Sequence, residues 1–372
     1  MRDPSPEQHE NEPDRTRSTL SRRDALLGMA ATGGAGALTV GGFSFARGWL
    51  APPEQLTATE LTDRLEKING RHDGFRRNHA KGLSASGTFT STGDAQEISE
   101  ATVFRPATFP VVGRFSLSGG MPYTADAANT VRGFALQITL PYGEQWRTAM
   151  VSIPVFLDRT PEEFITRMSL SKPDPNTGRP DQKLLTAYLG DHPGTVAAMK
   201  IVHAQTPSSG FENSTFHGLN AFAFTNADGA TVPVRWRMVP DQDYAPTTSA
   251  SPNEDYLFES LIQASAAGPL TWRLVLTIGE RGDPTDDATT PWPKNRRTIT
   301  AGSVTIDSVE TEQAGNARDV NFNPLVLPAG IAPLDDPLLA ARSSVYIRSF
   351  TRRVNETKHP SQVNVGEVRG ES

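Results

Sequence analysis

Between residues 84 and 308 the chain returns again and again to one pattern, apolar and polar side chains alternating with a period of two. The clearest instance covers 221–236. Its turn is Asn226-Ala227-Asp228-Gly229, and an Asp-Gly pair suits a tight β-turn. Beyond the turn Val232, Val234, Trp236 and Met238 alternate with Pro233, Arg235 and Arg237, which predicts a strand with one buried face. Eight segments read as strands: 84–90, 111–118, 131–139, 147–156, 215–226, 231–239, 270–278 and 302–308. That is about the number that closes a small barrel with a side-chain-filled interior. The 31 Gly and 29 Pro among 372 residues also favour a loop-rich β fold over a helix bundle.

Helical spacing is confined to shorter stretches. Leu61, Leu65 and Ile68 stand at i, i+4 and i+7, predicting a helix over 61–68. Helical inserts are expected at 160–169, 182–189 and 254–266. The first has Thr160 as cap, Pro161 at its first position and Glu163 to complete a capping box. After Glu310 the strand pattern stops, and a Pro/Gly-rich stretch with Asn321-Phe322-Asn323-Pro324 leads to an amphipathic helix over 335–354. The expected fold class is therefore α+β, mainly β: an eight-stranded antiparallel barrel with helical inserts and a C-terminal helix. The expected organisation is a leader (1–46), an arm (47–70), the barrel with its inserts (71–310), a wrapping segment and helix (311–357) and a loose polar tail (358–372).

The net charge of -6 gives no basic field to attract nucleic acid. The absence of cysteine excludes disulfides, iron–sulfur clusters and thiolate-bound metal. No G-x-G-x-x-G follows a strand, so no NADPH is expected. Near the N-terminus, Ser21-Arg22-Arg23-Asp24-Ala25-Leu26-Leu27 fits the twin-arginine export pattern, followed by an uncharged Gly/Ala-rich run and a Ser44-Phe45-Ala46 cleavage site. The expectation is a periplasmic or other extracytoplasmic protein. An uncleaved run is long enough to serve as a membrane tether.

Two phrases far apart in the chain carry the chemistry. Arg76-Arg77-Asn78-His79-Ala80-Lys81-Gly82 resembles the segment with the essential distal histidine of haem catalases, and Arg342-Ser343-Ser344-Val345-Tyr346 resembles the segment that supplies their tyrosinate iron ligand. With family-like stretches between them, residues 71–353 resemble the catalases, and within these the shorter, exported catalase-related peroxidases. The resemblance implies haem b held between the barrel and the C-terminal helix. It implies Tyr346 as the iron ligand, with the Arg342 cation one helical turn earlier favouring the phenolate. It implies His79 as the acid/base that moves a proton between the peroxide oxygens, and Ser116 as the serine that orients it. Arg76, Arg114 and Arg353 match the propionate partners, although Arg352 competes with Arg353, and Phe156 matches a distal-pocket aromatic. Asn220 and Phe222 fall on a strand with no assigned role.

Three departures shape the expected activity. Catalases carry an Asn that helps orient peroxide where this chain has Val151; Ser152, one position on, should face the other way in a strand. Asn78 stands where catalases have an apolar channel residue. The chain also ends soon after the Tyr346 helix, without a further helical domain. Together they predict a peroxidase that spends peroxide on an unidentified small-molecule electron donor, as a monomer or dimer. The competing readings are a low-activity true catalase, a haem hydroperoxide isomerase and a non-enzymatic haem-binding protein.

Overall fold

A computed structural model describes residues 56–247 and 253–370. The leader and the first part of the arm lie outside them. Among the described residues no helix is long and apolar enough to cross a membrane.

The alternating segments form an antiparallel barrel. β1 (Gly82–Ser91), β2 (Thr108–Leu117), β3 (Arg132–Thr139) and β4 (Gln145–Val151) follow one another as neighbours. β4 meets β5 (Phe216–His217), which with β6 (Phe222–Thr225) forms one interrupted strand along β7 (Thr231–Pro240). β8 (Leu270–Ile278) pairs with β7, β9 (Thr298–Glu310) pairs with β8, and β9 returns to β1. That closes an eight-stranded ring. A short β10 (Ile331–Pro333) pairs with β6, and the wrapping segment fills the splay between β4 and β6, where Arg147 N donates to the Val326 carbonyl at 2.9 Å.

Period two sorts the side chains to two destinations. The inward set of β2 and β3, including Phe115 and Phe134, stacks with ring centroids 4.4 Å apart and packs against Trp272 and Phe216. The barrel centre is thus a solid aromatic core. The outward set of the same strands, Arg114, Ser116, Gly133 and Ala135, together with Ala149 and Val151 of β4, lines a cavity outside the barrel. Its far wall is a helix.

The helices are α1 (Ala58–Asn69), α2 (Pro161–Leu170), α3 (Gln182–Asp191), α4 (Pro193–His203), α5 (Tyr256–Ala267), α6 (Pro337–Val354) and a short α7 (Val365–Arg369). The Thr57–Glu60 capping box opens α1. Leu61 and Leu65 of α1 pack against Ile165 of α2 and against Ala341 and Val345 of α6, roofing the cavity. Buried and half-buried charges fasten this roof: Arg77 donates to Glu66 at 2.6 Å and also pairs with Glu356, while Arg352 pairs with Glu66 at 2.9 Å.

Three expectations need correction, and one helix was not foreseen. The stretch 215–226 is not continuous: Leu219 takes φ 65°, and Gly218 lies so close to the Trp236 indole that a Cβ would sit 2.9 Å from its nitrogen. The stretch 147–156 leaves the sheet after Val151, and Phe156 N donates instead to the Ala288 carbonyl at 2.9 Å. The sequence reading had no counterpart for α4. The tail from 358 is not loose, because Val363 and Val365 are buried in the main core beside α5.

Candidate active site

The candidate residues around His79 rest on a row that crosses three strands. Ser116 of β2 stands opposite Gly133 of β3, and Gly133 stands opposite Val151 of β4. His79 lies over this row with Nδ1 3.1 Å from Ser116 Oγ. A Cβ on Gly133 would fall 2.7 Å from Ser116 Oγ and 3.0 Å from His79 Nδ1, so only glycine admits the pair. A glycine inside a strand is a signal for close approach, and it went unread in the sequence.

His79 is held in a left-handed backbone conformation, φ 56°, which costs a residue with a Cβ on the order of 1 kcal/mol. Three groups secure it. Its N–H donates to Asn78 Oδ1 at 3.0 Å, its carbonyl accepts from Arg114 at 2.8 Å, and Ala80 N donates to the Gly119 carbonyl at 2.9 Å. Gly82 closes the phrase because a Cβ there would collide with the Arg114 guanidinium at 2.3 Å. Burial, reinforced by the positive Arg114, Arg342 and Arg76, lowers the imidazole pKa from 6.5 to about 3. His79 is therefore a free base at neutral pH. With Nδ1 facing the serine, Nε2 is the nitrogen available to a bound molecule.

Across the cavity, α6 presents Leu338, Ala341, Arg342, Val345, Tyr346, Ser349 and Arg353 on one face, as helical spacing requires. Tyr346 forms no hydrogen bond among the described residues, and the Arg342 guanidinium stands 5.9 Å from its ring centroid. Arg342 donates to Asn220 Oδ1 at 2.5 Å and to the Ala149 carbonyl at 2.8 Å. Asn220 in turn donates to Asp336 at 2.7 Å, and Asp336 caps α6 by accepting from Leu338 N at 2.8 Å. The interruption between β5 and β6 is what frees Asn220 to reach the helix. Phe222, on the other side of that interruption, packs against Trp236 in the barrel core with tilted rings and centroids 4.6 Å apart.

At one end of the cavity three arginines converge. Arg114 grips Glu312 with Nε at 2.7 Å and Nη2 at 2.9 Å, and Arg76 approaches the same carboxylate at 3.2 Å. Arg353 donates to the carbonyls of Arg318 and Val320. The helix turns Arg353 inward and Arg352 outward toward Asp63. Burial raises the Glu312 pKa, but Arg114, Arg76 and Arg353 override it and hold the carboxyl at about 2. Burial and the mutual repulsion of the arginines push Arg76 well below the usual range and Arg353 to about 10. Glu312 was missed in the sequence, where nothing separates it from Glu310.

Three guanidiniums against one carboxylate leave a buried excess of positive charge, which an anionic ligand would relieve. Between the arginines and the roof the walls are small or apolar: Gly133, Ala135 and Ala149 on the barrel, Phe156, Phe164 and Leu219 at the sides. A flat, largely apolar group with a dianionic edge fits this cavity, and haem is such a group. Val151 faces the cavity, whereas Ser152 turns away and its Oγ accepts from Arg132 N at 3.0 Å. All eight residues selected from the sequence line this one cavity: Arg76, His79, Arg114, Ser116, Phe156, Arg342, Tyr346 and Arg353.

Comparisons with known proteins agree with this geometry. The sequence model of the catalase family matches residues 51–370. A catalase-related peroxidase of Synechococcus elongatus is 34% identical over 301 residues, covering 80% of this chain and 89% of that protein. One from Mycolicibacterium paratuberculosis is 32% identical over 302 residues, covering 80% and 95%. Among solved structures a bacterial catalase superposes with a TM-score of 0.67 at 21% identity over 87% of this chain, and catalase A of Saccharomyces cerevisiae with 0.66 at 20% over 86%. The chain spans 64% of the length of the bacterial catalase and 68% of the yeast one. A family match across the whole barrel and its helix, with relatives of this similarity, means that the chain belongs to the catalase family, with the catalase-related peroxidases, and is a peroxide-acting oxidoreductase of the catalase type.

Proposed function

We propose that the protein is an exported haem b peroxidase that reduces hydrogen peroxide or a small organic hydroperoxide with an external electron donor: ROOH + AH2 → ROH + H2O + A. The observation that carries this reading is the distal row itself. On that row stand one base, His79, and an apolar side chain, Val151, at the position where the resemblance to catalases implies an asparagine that helps position a second peroxide as reductant. The Ser-Arg-Arg-Asp-Ala-Leu-Leu stretch at 21–27 supports export by the twin-arginine route.

Arg76, Arg114 and Arg353 would hold the haem propionates, and Tyr346 would hold the iron from the α6 side with Arg342 stabilising its phenolate. Haem, when bound, supplies the redox-active iron at which the O–O bond is cleaved. The protein's own part is proton movement. His79 Nε2, unprotonated at neutral pH, accepts the hydroperoxide proton and returns it to the departing oxygen, which leaves as water or alcohol. Ser116 keeps the imidazole edge in place through Nδ1.

The test sets oxygen release from peroxide alone against oxidation of a phenolic dye by the same preparation. Dye oxidation without comparable oxygen release is the expected result, and oxygen release that needs no dye would identify a true catalase. Tyr346→Phe should abolish the high-spin ferric tyrosinate absorption; a spectrum unchanged by that substitution would remove Tyr346 as ligand.

A further inference from the structure

Asn78 has one end of its amide committed and the other unused. Its Oδ1 accepts from His79 N at 3.0 Å and from Gly119 N at 2.8 Å. Two backbone donors on one atom decide the orientation of the amide, since the flipped form would set NH2 against both of them. Nδ2 therefore points the other way, and no acceptor is bonded to it among the described residues. Asn78 is itself a lining residue of the cavity, next to His79.

We propose that Asn78 Nδ2 is the hydrogen-bond donor that orients the hydroperoxide beneath His79. This inference rests on the peroxidase reading and names the residue that positions its substrate. A hydroperoxide brings two acceptor oxygens and one O–H into a chamber whose nearby walls, Val151, Phe156 and Leu219, cannot donate. His79, as a free base, answers the O–H; it leaves the acceptor oxygens without a partner. The Asn78 amide supplies that partner. An amide does not release protons at neutral pH, so Asn78 aligns the substrate while His79 moves the proton. Its backbone anchors are the same two segments that hold His79, so donor and base move as one unit.

Asn78→Asp keeps an acceptor for both backbone N–H groups and removes the donor, and Asn78→Ala removes the side chain. In the haem-loaded protein both should lower the second-order rate constant for hydrogen peroxide about three- to tenfold, the worth of one hydrogen bond. The rate of donor oxidation at saturating peroxide should change little. A second readout needs no turnover: fluoride bound to the ferric protein takes the same hydrogen bond, so its affinity should fall by a similar factor and its charge-transfer band should move to shorter wavelength. Peroxide rate constant and fluoride affinity both unchanged in the two variants would overturn the assignment. If the unsubstituted protein oxidises no donor, the peroxidase reading fails, and the fluoride titration still decides for or against Asn78 as a distal donor.

Discussion

An ordinary imidazole would be mostly protonated at pH 5, and a protonated His79 could not accept the hydroperoxide proton. The environment of His79 prevents this: burial, with three arginines nearby, lowers its pKa to about 3. The direction has two consequences. Between pH 6.5 and 3 the unfolded chain takes up a proton that the folded His79 refuses, so stability contributed by this site is full above 6.5 and declines as pH falls toward 3. Over the upper part of that range the folded enzyme still holds the free base. The second-order rate with peroxide should therefore stay level from pH 7 to pH 5 in stopped-flow measurements, with its acid limb well below. A limb centred near 6.5 would show that His79 is not shielded as the geometry requires.

Among the elements, α6 supplies the most residues to the cavity lining, and its first turn is tied to them. Asp336 caps the helix and, through Asn220, steadies Arg342 one turn before Tyr346. Asp336→Ala should cost about 1–2 kcal/mol from the lost cap and the stranded Asn220 amide, read as a lower denaturant midpoint, and should also weaken haem retention. Asn364→Ala, which removes the cap of α7, provides the comparison: some stability lost, haem retention unchanged. Equal haem retention in both variants would mean that the Asp336–Asn220–Arg342 chain only stabilises the helix. The heptad-like face of α6 was legible from spacing alone. The Asn220 connection was not, because it depends on a break in a strand that the sequence pattern continued through.

For the whole molecule, Glu312 joins parts of the chain that are remote in sequence: the distal segment at Arg76, β2 at Arg114 and, electrostatically, α6 at Arg353. Its carboxyl stays ionised to about pH 2, so its contribution is present above pH 4.5 and is lost as pH falls from there toward 2. In the haem-free protein Glu312→Gln keeps the shape and removes the charge, leaving three buried guanidiniums without their counter-ion. It should destabilise the protein by about 3–5 kcal/mol at neutral pH. The gap to the unsubstituted protein should narrow in denaturant titrations as pH falls below 4.5. A gap constant with pH would mean that packing, and not charge, sets the value of this residue.

What the sequence determined by itself is what depends on local period and on short phrases. Period-two alternation marked the barrel strands, although it ran past the end of β4 at Val151 and across the break between β5 and β6. Helical spacing marked α1 and α6, a capping box marked α2, and two phrases with the family-like stretches around them selected eight residues that all line one cavity. What only the tertiary structure decided is what depends on approach between distant segments: the glycine that lets His79 reach Ser116, the carboxylate that gathers three arginines, the strand break that sends Asn220 to a helix cap, and the packing of the last residues against the core. The physical reason is range. Side-chain alternation and helical spacing are dictated by backbone geometry over a few residues, whereas contacts and electrostatic fields depend on which surfaces the closed barrel brings together.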